Sequence, residues 1–420
     1  MQELKILGGR PLKGEIRISG AKNAALPALA ACLLTDETVT LRNMPNVKDI
    51  SSMCYLLEAL GATIERRGET VVVDSFGVNS YTAPHELVRK MRASVLVMGP
   101  LLARFGKAEV ALPGGCTIGN RPIDLHLAAM QKLGAELTLI KGDNHLVCPR
   151  LKGTHIYFDR PTVTGTENVM MAAVKAEGET ILENAAREPE VVNLSELLIK
   201  MGASISGAGT DTIKIEGVKH LSSAEHEIIP DRIEAGTYAL AGAITGGDVT
   251  LTGASGAMIS SLLVKMENAG CQIQETEEGL TISGKPPFSP VDISTAEYPG
   301  FPTDLQAQFT AFMCLADGKS VITENIFEDR FKHVPEMNRL GADITIRGAS
   351  AFVRGVDRLR GATVTASDLR ASASLVLAGL AAEGETRVLR VYHLDRGYDS
   401  METKLSLLGA DIVRVEGTGP

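Results

Sequence analysis

A short mark of the form Leu-Gly-Ala, with close variants, recurs six times along the chain at intervals of about seventy residues. Before each mark, apolar residues repeat at a spacing of three to four, which predicts a helix that the glycine closes. After it, two short alternating segments around a turn predict a β-hairpin. The chain is therefore predicted to contain six copies of one helix and hairpin unit, with mark glycines Gly61, Gly134, Gly202, Gly270, Gly341 and Gly409.

The sixth copy is one strand short, because the chain ends soon after the strand predicted at 413–417. Residues 4–9 have the pattern of the missing strand, so the N-terminus is predicted to pair with the C-terminal copy. An α/β chain of two domains with three copies each follows, one domain spanning 21–230 and the other 1–20 together with 231–420. A functional cleft is expected between these domains.

Charge and composition exclude several classes of function. The 420 residues carry a net charge of −9, no tryptophan and 4% aromatic residues, so a nucleic-acid partner is not expected. Six cysteines and eight histidines form no Cys-x-x-Cys or His-x-x-x-His pattern, which predicts free thiols and no metal; no cofactor is expected either. The longest apolar run, 24–34, is too short to span a bilayer, so a cytoplasmic protein without membrane insertion is expected.

One cysteine stands apart from the others. Cys116 lies in a ten-residue segment, 113–122, that also contains three glycines, two prolines and Arg121. Glycine and proline predict an exposed loop, and a cation five residues from the sulfur favours the thiolate if the loop folds back. Cys116 is therefore a candidate reactive thiol rather than a core residue.

Other candidate residues place charged side chains beside proline, glycine or the start of a helix. Lys22 and Asn23 open an apolar helix, whose N-terminus favours anions. Asp304 lies in the first turn of a helix after a proline-rich entry and is either a helix cap or a general base. Several cations at loops or helix ends of this acidic chain indicate a small ligand with phosphate or carboxylate groups. These cations are Lys22, Arg92, Arg121, Arg330, Arg370 and Arg396.

Six segments resemble those of the UDP-N-acetylglucosamine enolpyruvyl transferases, a family of the EPSP synthase superfamily, and the resemblance covers essentially the whole chain. The segments are 22–23, 116–121, 184–190, 301–309, 368–374 and 395–397. The resemblance implies a two-domain inside-out α/β barrel with three repeated units per domain. It also implies transfer of enolpyruvate from phosphoenolpyruvate to the 3′-hydroxyl of UDP-N-acetylglucosamine with release of phosphate, the first committed step of bacterial peptidoglycan synthesis.

Roles for individual residues follow from the same resemblance. Cys116 would be the thiol of a loop that closes over the ligands, and Asp304 the base at the sugar hydroxyl. Phosphoenolpyruvate would be bound by Lys22, Arg121 and Arg396. The sugar and the tetrahedral intermediate would be held by Asn23, Arg92, Glu328, Arg330, Asp368 and Arg370. Backbone groups would meet the diphosphate at Arg160, Thr162, Val163 and Thr164, and the substrate-binding set is completed by Pro122, Ile123, Asp124, Leu125 and Phe327.

Alternatives stay open at this level. The nearest rival enzyme, 5-enolpyruvylshikimate-3-phosphate synthase, shares the fold and the donor but lacks the cysteine loop. A non-catalytic sugar-nucleotide sensor would keep the fold without the chemistry. Cys116 itself could act as a general acid, as an adduct-forming nucleophile or as a gate for product release. The resemblance further implies that the epoxide fosfomycin alkylates this thiol.

Overall fold

The computed structural model describes residues 2–112 and 122–416. Within these ranges the strands are β1 (Gln2–Leu7), β2 (Lys13–Arg17), β3 (Thr38–Arg42), β4 (Thr63–Arg67), β5 (Thr70–Asp74), β6 (Lys107–Ala111), β7 (Glu136–Ile140), β8 (Asp143–Val147), β9 (His155–Tyr157), β10 (Glu179–Glu183), β11 (Ser204–Ser206), β12 (Thr212–Glu216), β13 (Ala224–Glu227), β14 (Asp248–Thr252), β15 (Gln272–Thr276), β16 (Gly279–Ser283), β17 (Ile293–Ser294), β18 (Lys319–Thr323), β19 (Asp343–Arg347), β20 (Ser350–Arg354), β21 (Thr363–Thr365), β22 (Glu385–Leu389) and β23 (Asp411–Glu416). The α-helices are α1 (Lys22–Ala31), α2 (Lys48–Leu60), α3 (His85–Lys90), α4 (Met98–Phe105), α5 (Asp124–Lys132), α6 (Val163–Ala173), α7 (Pro189–Lys200), α8 (Arg232–Ile244), α9 (Ser260–Asn268), α10 (Gln306–Met313), α11 (Val334–Arg339), α12 (Leu369–Ala381) and α13 (Met401–Leu407). Short 3₁₀ helices lie at Cys32–Leu34, Arg92–Val97, Gly256–Ile259, Thr303–Leu305 and Val391–Arg396.

The described chain divides into two compact units. The Lys22 unit comprises 20–112 and 122–229, and the Asp304 unit comprises 2–19 and 230–416. Each unit contains three small sheets. In the Lys22 unit their strand orders are β13-β3-β5-β4, β6-β8-β7 and β11-β12-β10-β9. In the Asp304 unit they are β15-β16-β14-β2, β17-β18-β20-β19 and β21-β22-β1-β23.

One folding pattern recurs in these sheets. Strand β3 leads through α2 into the hairpin β4-β5, and β5 returns antiparallel to β3, while β13 adds a parallel neighbour. Each mark glycine follows the last residue of its helix by one or two positions, and all six glycines have φ between +88° and +108°. This left-handed conformation is strained for residues with a Cβ atom, which explains why glycine recurs at the mark. The predicted helix and hairpin unit is confirmed.

The N-terminal strand completes the sixth copy, as the sequence predicts. Strand β1 lies between β22 and β23 and is antiparallel to both, with Lys5 opposite Arg387 on one side and Val413 on the other. It takes the place that β20 has in the order β17-β18-β20-β19. Leu4 and Ile6 are fully buried in the core of the Asp304 unit. Because side chains alternate between the two faces of a strand, this apolar pair fixes the register of β1.

Buried helices form the centre of each unit. In the Asp304 unit α8, α10 and α12 pack on one another, and nearly all of their residues are buried. In the Lys22 unit α6 packs against α1 and α4, and most residues of these helices are buried too. A helix that is apolar on all sides can be enclosed in this way. The N-terminal ends of the buried helices carry predicted site residues, with Lys22 opening α1, Asp304 directly before α10, and Arg370 in the first turn of α12.

Two features are absent from the described residues. No helix in 2–112 and 122–416 is long and apolar enough to cross a membrane. In the same part of the chain, no group of three or more histidine, cysteine, aspartate or glutamate side chains is placed to hold a metal ion. The cysteines that the structure describes are free thiols, and four of the five are buried.

Candidate active site

Two arginines hold the carboxylate of Asp304. Arg330 Nη2 donates to Oδ1 at 2.7 Å, and Arg370 Nη2 donates to Oδ2 at 2.9 Å. The two arginine side chains are 4% and 5% exposed, whereas the Asp304 side chain is 27% exposed. Each carboxylate oxygen therefore has its own guanidinium, and the aspartate side chain stays only partly exposed. The Asp304 side chain therefore forms ion pairs with two guanidinium groups and does not cap the helix that follows it.

Electrostatics favour the ionised form of this aspartate. Burial by itself raises the pKa of the Asp304 carboxyl, but the charges and hydrogen bonds of Arg370 and Arg330 outweigh it and hold the pKa well below its usual range. Burial likewise lowers the pKa of Arg370, and the Asp304 charge more than reverses this effect. Asp304 is thus an anion in this arrangement, and its affinity for a proton rises only when a guanidinium is drawn away.

Glu324 fixes the turn that leads to Arg330. Its buried carboxylate accepts hydrogen bonds from Thr295 Oγ1 and Thr303 Oγ1, both at 2.8 Å. It also accepts from the backbone N–H groups of Ile326 and Phe327, at 2.8 and 3.2 Å. One side chain thereby ties the residue before Asp304 to the turn before Arg330. Sequence reasoning did not single out Glu324, although an acidic residue directly after a buried strand was a signal.

Residues beside this centre have local roles. Asp368 Oδ1 accepts from the backbone N–H groups of Arg370 and Ala371, so it caps α12 and orients the start of that helix. The Phe327 ring lies beside the Arg330 guanidinium, 5.3 Å from ring centroid to Cζ. Glu328 is exposed, and Arg396 is half-buried at the end of the 3₁₀ helix Val391–Arg396.

In the Lys22 unit, Lys22 is the first residue of α1. Its Nζ lies 3.4 Å from Oδ2 of Asp49, which opens α2 and is buried. Asn23 is half-buried next to it. The prediction of a cation at the start of an apolar helix is confirmed. The structure adds that Asp49 is the partner of Lys22, a residue that sequence reasoning missed.

The segments after the cysteine loop are described from Pro122 onward. Arg92 Nη2 donates to the carbonyl oxygen of Pro122 at 3.2 Å. Ile123 is buried, Asp124 is exposed at the start of α5, and Leu125 is half-buried. Cys116 and Arg121, which the sequence assigns to the reactive loop and to the donor site, lie outside the described residues.

A buried histidine supports the predicted diphosphate segment. Thr162 caps α6, its Oγ1 accepting from the backbone N–H of Gly165 at 3.3 Å. Thr164 Oγ1 lies 3.2 Å from His126 Nε2, and Asn168 Nδ2 lies 3.1 Å from His126 Nδ1. Burial, with the charge of Arg92, lowers the pKa of His126 to about 3, so the ring is neutral. Val163 is half-buried and Arg160 is exposed; sequence reasoning missed His126.

The fold is that of an enolpyruvyl transferase. The structure is similar to that of the enolpyruvyl transferase NikO from Streptomyces tendae, with a TM-score of 0.88, 26% identity, and coverage of 100% of this chain and 99% of that one. EPSP synthase from Acinetobacter baumannii shares the fold, with a TM-score of 0.78 at 17% identity over 99% of this chain. The predicted two-domain inside-out α/β barrel with three repeated units per domain is confirmed.

Sequence comparison narrows the class. Residues 6–405 match the family described as EPSP synthase (3-phosphoshikimate 1-carboxyvinyltransferase). A UDP-N-acetylglucosamine 1-carboxyvinyltransferase of Magnetococcus marinus is 56% identical over 419 residues, 99% of this chain and all of that one. The enzyme of the same name from Myxococcus xanthus is 55% identical over 417 residues, 99% of each chain. The chain belongs to the EPSP synthase family and, within it, to the UDP-N-acetylglucosamine 1-carboxyvinyltransferases.

Proposed function

We propose that this enzyme transfers the enolpyruvyl group of phosphoenolpyruvate to the 3′-hydroxyl of UDP-N-acetylglucosamine, releasing phosphate, in the cytoplasm. The observation that carries the proposal is full-length identity of 53% to 56% with enzymes named for this acceptor. The carboxylate between two buried guanidiniums supports it, since the reaction needs a proton acceptor beside groups that bind anions. In a bacterium this reaction opens peptidoglycan synthesis.

The proposed reaction has an addition and an elimination. A proton adds to the methylene carbon of phosphoenolpyruvate, which gives the neighbouring carbon cationic character. The sugar 3′-oxygen bonds to that carbon as Asp304 accepts the hydroxyl proton, forming a tetrahedral intermediate. The bond between that same carbon and the phosphate oxygen then breaks, and the methyl group gives back the proton that the methylene carbon took up. The vinyl ether and inorganic phosphate remain, and Asp304 passes the hydroxyl proton to the departing phosphate or to water.

Asp304 becomes a stronger base when its arginines engage the substrates. Arg330 and Arg370 hold its pKa down, against the opposing effect of burial. An incoming carboxylate or phosphate competes for these guanidiniums because both present oxygen pairs that suit their planar donors. Partial withdrawal of the arginines raises the proton affinity of Asp304 at the moment a hydroxyl needs an acceptor. Substrate binding and base strength are coupled in this proposal.

The remaining predicted residues keep the roles implied by the family. Lys22, Arg121 and Arg396 bind phosphoenolpyruvate, and Cys116 approaches it as acid, nucleophile or product-release gate. The sugar and the intermediate are held by Asn23, Arg92, Glu328, Arg330, Asp368 and Arg370, and Phe327 also belongs to the substrate-binding set. The diphosphate meets the backbone at 160 and 162–164, and residues 122–125 complete the substrate-binding set. The neutral His126 contributes by fixing Thr164 at the start of α6.

Product analysis tests the acceptor. The purified enzyme is incubated with phosphoenolpyruvate and either UDP-N-acetylglucosamine or shikimate 3-phosphate, and the products are identified by mass spectrometry and NMR. The proposal predicts a vinyl ether at the sugar 3′-oxygen and no shikimate product. A product formed from shikimate 3-phosphate alone would favour the rival enzyme that shares this fold. Binding of both substrates without any product would favour the non-catalytic sensor.

A further inference from the structure

Behind the pair Asp304 and Arg370 lies a chain of buried hydrogen bonds made by side chains outside the predicted site. Gln308 of α10, Thr237 of α8 and Tyr398 after the last 3₁₀ helix are 0%, 0% and 2% exposed. Gln308 Nε2 lies 2.9 Å from the Asp304 carbonyl oxygen, 3.1 Å from Thr237 Oγ1 and 3.2 Å from the Tyr398 hydroxyl. Tyr398 and Thr237 are 2.9 Å apart at their hydroxyl oxygens.

The number of hydroxyl hydrogens available determines which group donates in each hydrogen bond of this network. Thr237 uses its single hydroxyl hydrogen to donate to the Ile233 carbonyl at 2.7 Å. Its oxygen must therefore accept from the Tyr398 hydroxyl, which leaves the Tyr398 oxygen to accept from Gln308. The amide of Gln308 thus donates toward Tyr398 and toward the backbone of Asp304. Chains oriented in one direction strengthen one another in a dry interior.

The same tyrosine meets Arg370. Its ring lies under the Arg370 guanidinium, 5.4 Å from the ring centroid to Cζ, and Arg370 Nη2 continues to Asp304 Oδ2. A cation over a buried aromatic face is held both by the ring's electron density and by contact. The network therefore contacts both partners of the ion pair, the guanidinium through the Tyr398 ring and the Asp304 backbone through Gln308.

We propose that Tyr398 is a positioning residue for enolpyruvyl transfer: anchored by Gln308 and Thr237, its ring holds Arg370 in line with the Asp304 carboxylate. The inference rests on the proposed role of Asp304 as proton acceptor. Tyr398 acts through Arg370 and touches no reacting atom. Removing the hydroxyl would take one hydrogen-bond partner from Thr237 and one from Gln308 and so loosen the ring, whereas removing the ring would free the guanidinium.

Charged and titratable groups from several elements face this network, among them His333 beside Arg330 and Asp231 beside Tyr398. Asp304 faces Arg370 and Arg330, while Arg370 faces Asp304 and, from the start of α8, Asp231. Asp231 caps α8 by accepting from the backbone N–H groups of Ile233 and Glu234. Displacing Arg370 therefore removes one of the two cations that keep Asp304 ionised. The acid limb of the rate profile, where Asp304 takes up a proton, then moves to higher pH.

The test compares Tyr398→Phe and Tyr398→Leu with wild type, measuring phosphate release against pH with UDP-N-acetylglucosamine and phosphoenolpyruvate. Tyr392→Phe is the matched control, because Tyr392 lies in the 3₁₀ helix just before Tyr398 but is 43% exposed. We expect Tyr398→Leu to lower kcat about tenfold and to move the acid limb to higher pH, because a poorly placed base reacts slowly. Tyr398→Phe should change kcat and the acid limb in the same directions but by smaller amounts. Tyr392→Phe should match wild type in both quantities.

Outcomes separate this inference from the proposed function. An unchanged acid limb in a folded Tyr398→Leu enzyme would overturn the inference, since loss of folded enzyme alone lowers the rate at every pH equally. If Tyr398→Leu does not fold, Tyr398→Phe decides, as it keeps the ring: a shifted limb supports the inference and an unshifted one overturns it. Asp304→Asn is measured alongside. Wild-type activity in that variant would refute the role of Asp304 itself, whatever the tyrosine variants do.

Discussion

Arg414, on the last strand, holds the carboxylate of Asp395 with two hydrogen bonds, Nη2 to Oδ1 at 2.7 Å and Nη1 to Oδ2 at 3.2 Å. Its Nε donates to Glu402 Oε1 of α13 at 2.7 Å. Burial lowers the pKa of Arg414, but these two carboxylates more than compensate and raise it. The clamp fixes the residue directly before Arg396, and strand β1, which pairs with the same strand, supports it.

Replacing Arg414 with alanine should therefore weaken both the fold and donor binding. Two partly buried carboxylates lose their cation, which we expect to lower the free energy of unfolding by about 2 kcal/mol. The KM for phosphoenolpyruvate should rise, because Arg396 loses its fixed neighbour. Urea unfolding and steady-state kinetics measure the two effects. Arg354→Ala is the control, since Arg354 is exposed and its contact with Asp343 is 3.6 Å long; equal losses in both variants would contradict the account.

Acid should remove the stabilisation that Asp304 provides. Its pKa in the folded protein lies below the unfolded value, so the contribution is complete above about pH 4, the unfolded aspartate pKa, and is lost as pH falls through the folded pKa. Asp304→Asn should be less stable than wild type by about 2 kcal/mol at pH 7, because two buried guanidiniums lose their anion. The difference should shrink toward pH 2.5. Urea unfolding at several pH values checks this, and a gap that stays constant with pH would disagree.

For Glu167, on α6, we expect stability to depend on pH in the opposite direction. It is 1% exposed, its Oε1 has no hydrogen-bond partner, and burial, together with Glu190 and Glu188, raises its pKa well above the usual value. Its contribution is complete below the unfolded pKa and is lost as pH rises through the folded pKa. Glu167→Gln should therefore gain stability relative to wild type with rising pH, by about 1 kcal/mol at pH 8.

A surface carboxylate provides the comparison for Glu167. Glu177 pairs with exposed Arg150 at 3.0 Å, so Glu177→Gln should change stability little and without this pH trend. Thermal unfolding of both variants between pH 5 and pH 8 distinguishes them. Parallel curves for Glu167→Gln and wild type would show that Glu167 is ionised in the folded protein.

Fosfomycin should label one cysteine. The described cysteines include three thiols whose pKa burial raises strongly, to about 12 for Cys271 and Cys314 and higher for Cys32, so their thiolates are scarce at neutral pH. The sequence predicts a thiolate at Cys116, which lies in the glycine-rich segment with Arg121. Intact-mass and peptide mapping should place a single adduct on Cys116, and Cys116→Ser should abolish it. An adduct on Cys54 or Cys148 would count against the assignment.

The repeats were predictable because their signals are local. Helix periodicity, a closing glycine and an alternating hairpin all lie within one copy, and the missing strand was found by counting. The partners of Asp304 were not predictable, since Arg330 and Arg370 are 26 and 66 residues away and their approach depends on how α10 and α12 pack. Gln308 offered an unused signal: an amide inside an apolar helix requires a buried partner. Tyr398, 90 residues further on, carried no comparable sign.

Phosphate release with each acceptor is the sharpest test of enolpyruvyl transfer to UDP-N-acetylglucosamine with Asp304 as the base. Wild-type enzyme, phosphoenolpyruvate and either UDP-N-acetylglucosamine or shikimate 3-phosphate are mixed, and inorganic phosphate is followed with time. We expect steady release with UDP-N-acetylglucosamine, a fall of at least about a hundredfold in Asp304→Asn, and no release with shikimate 3-phosphate. Release with shikimate 3-phosphate alone, or full activity in Asp304→Asn, would contradict it.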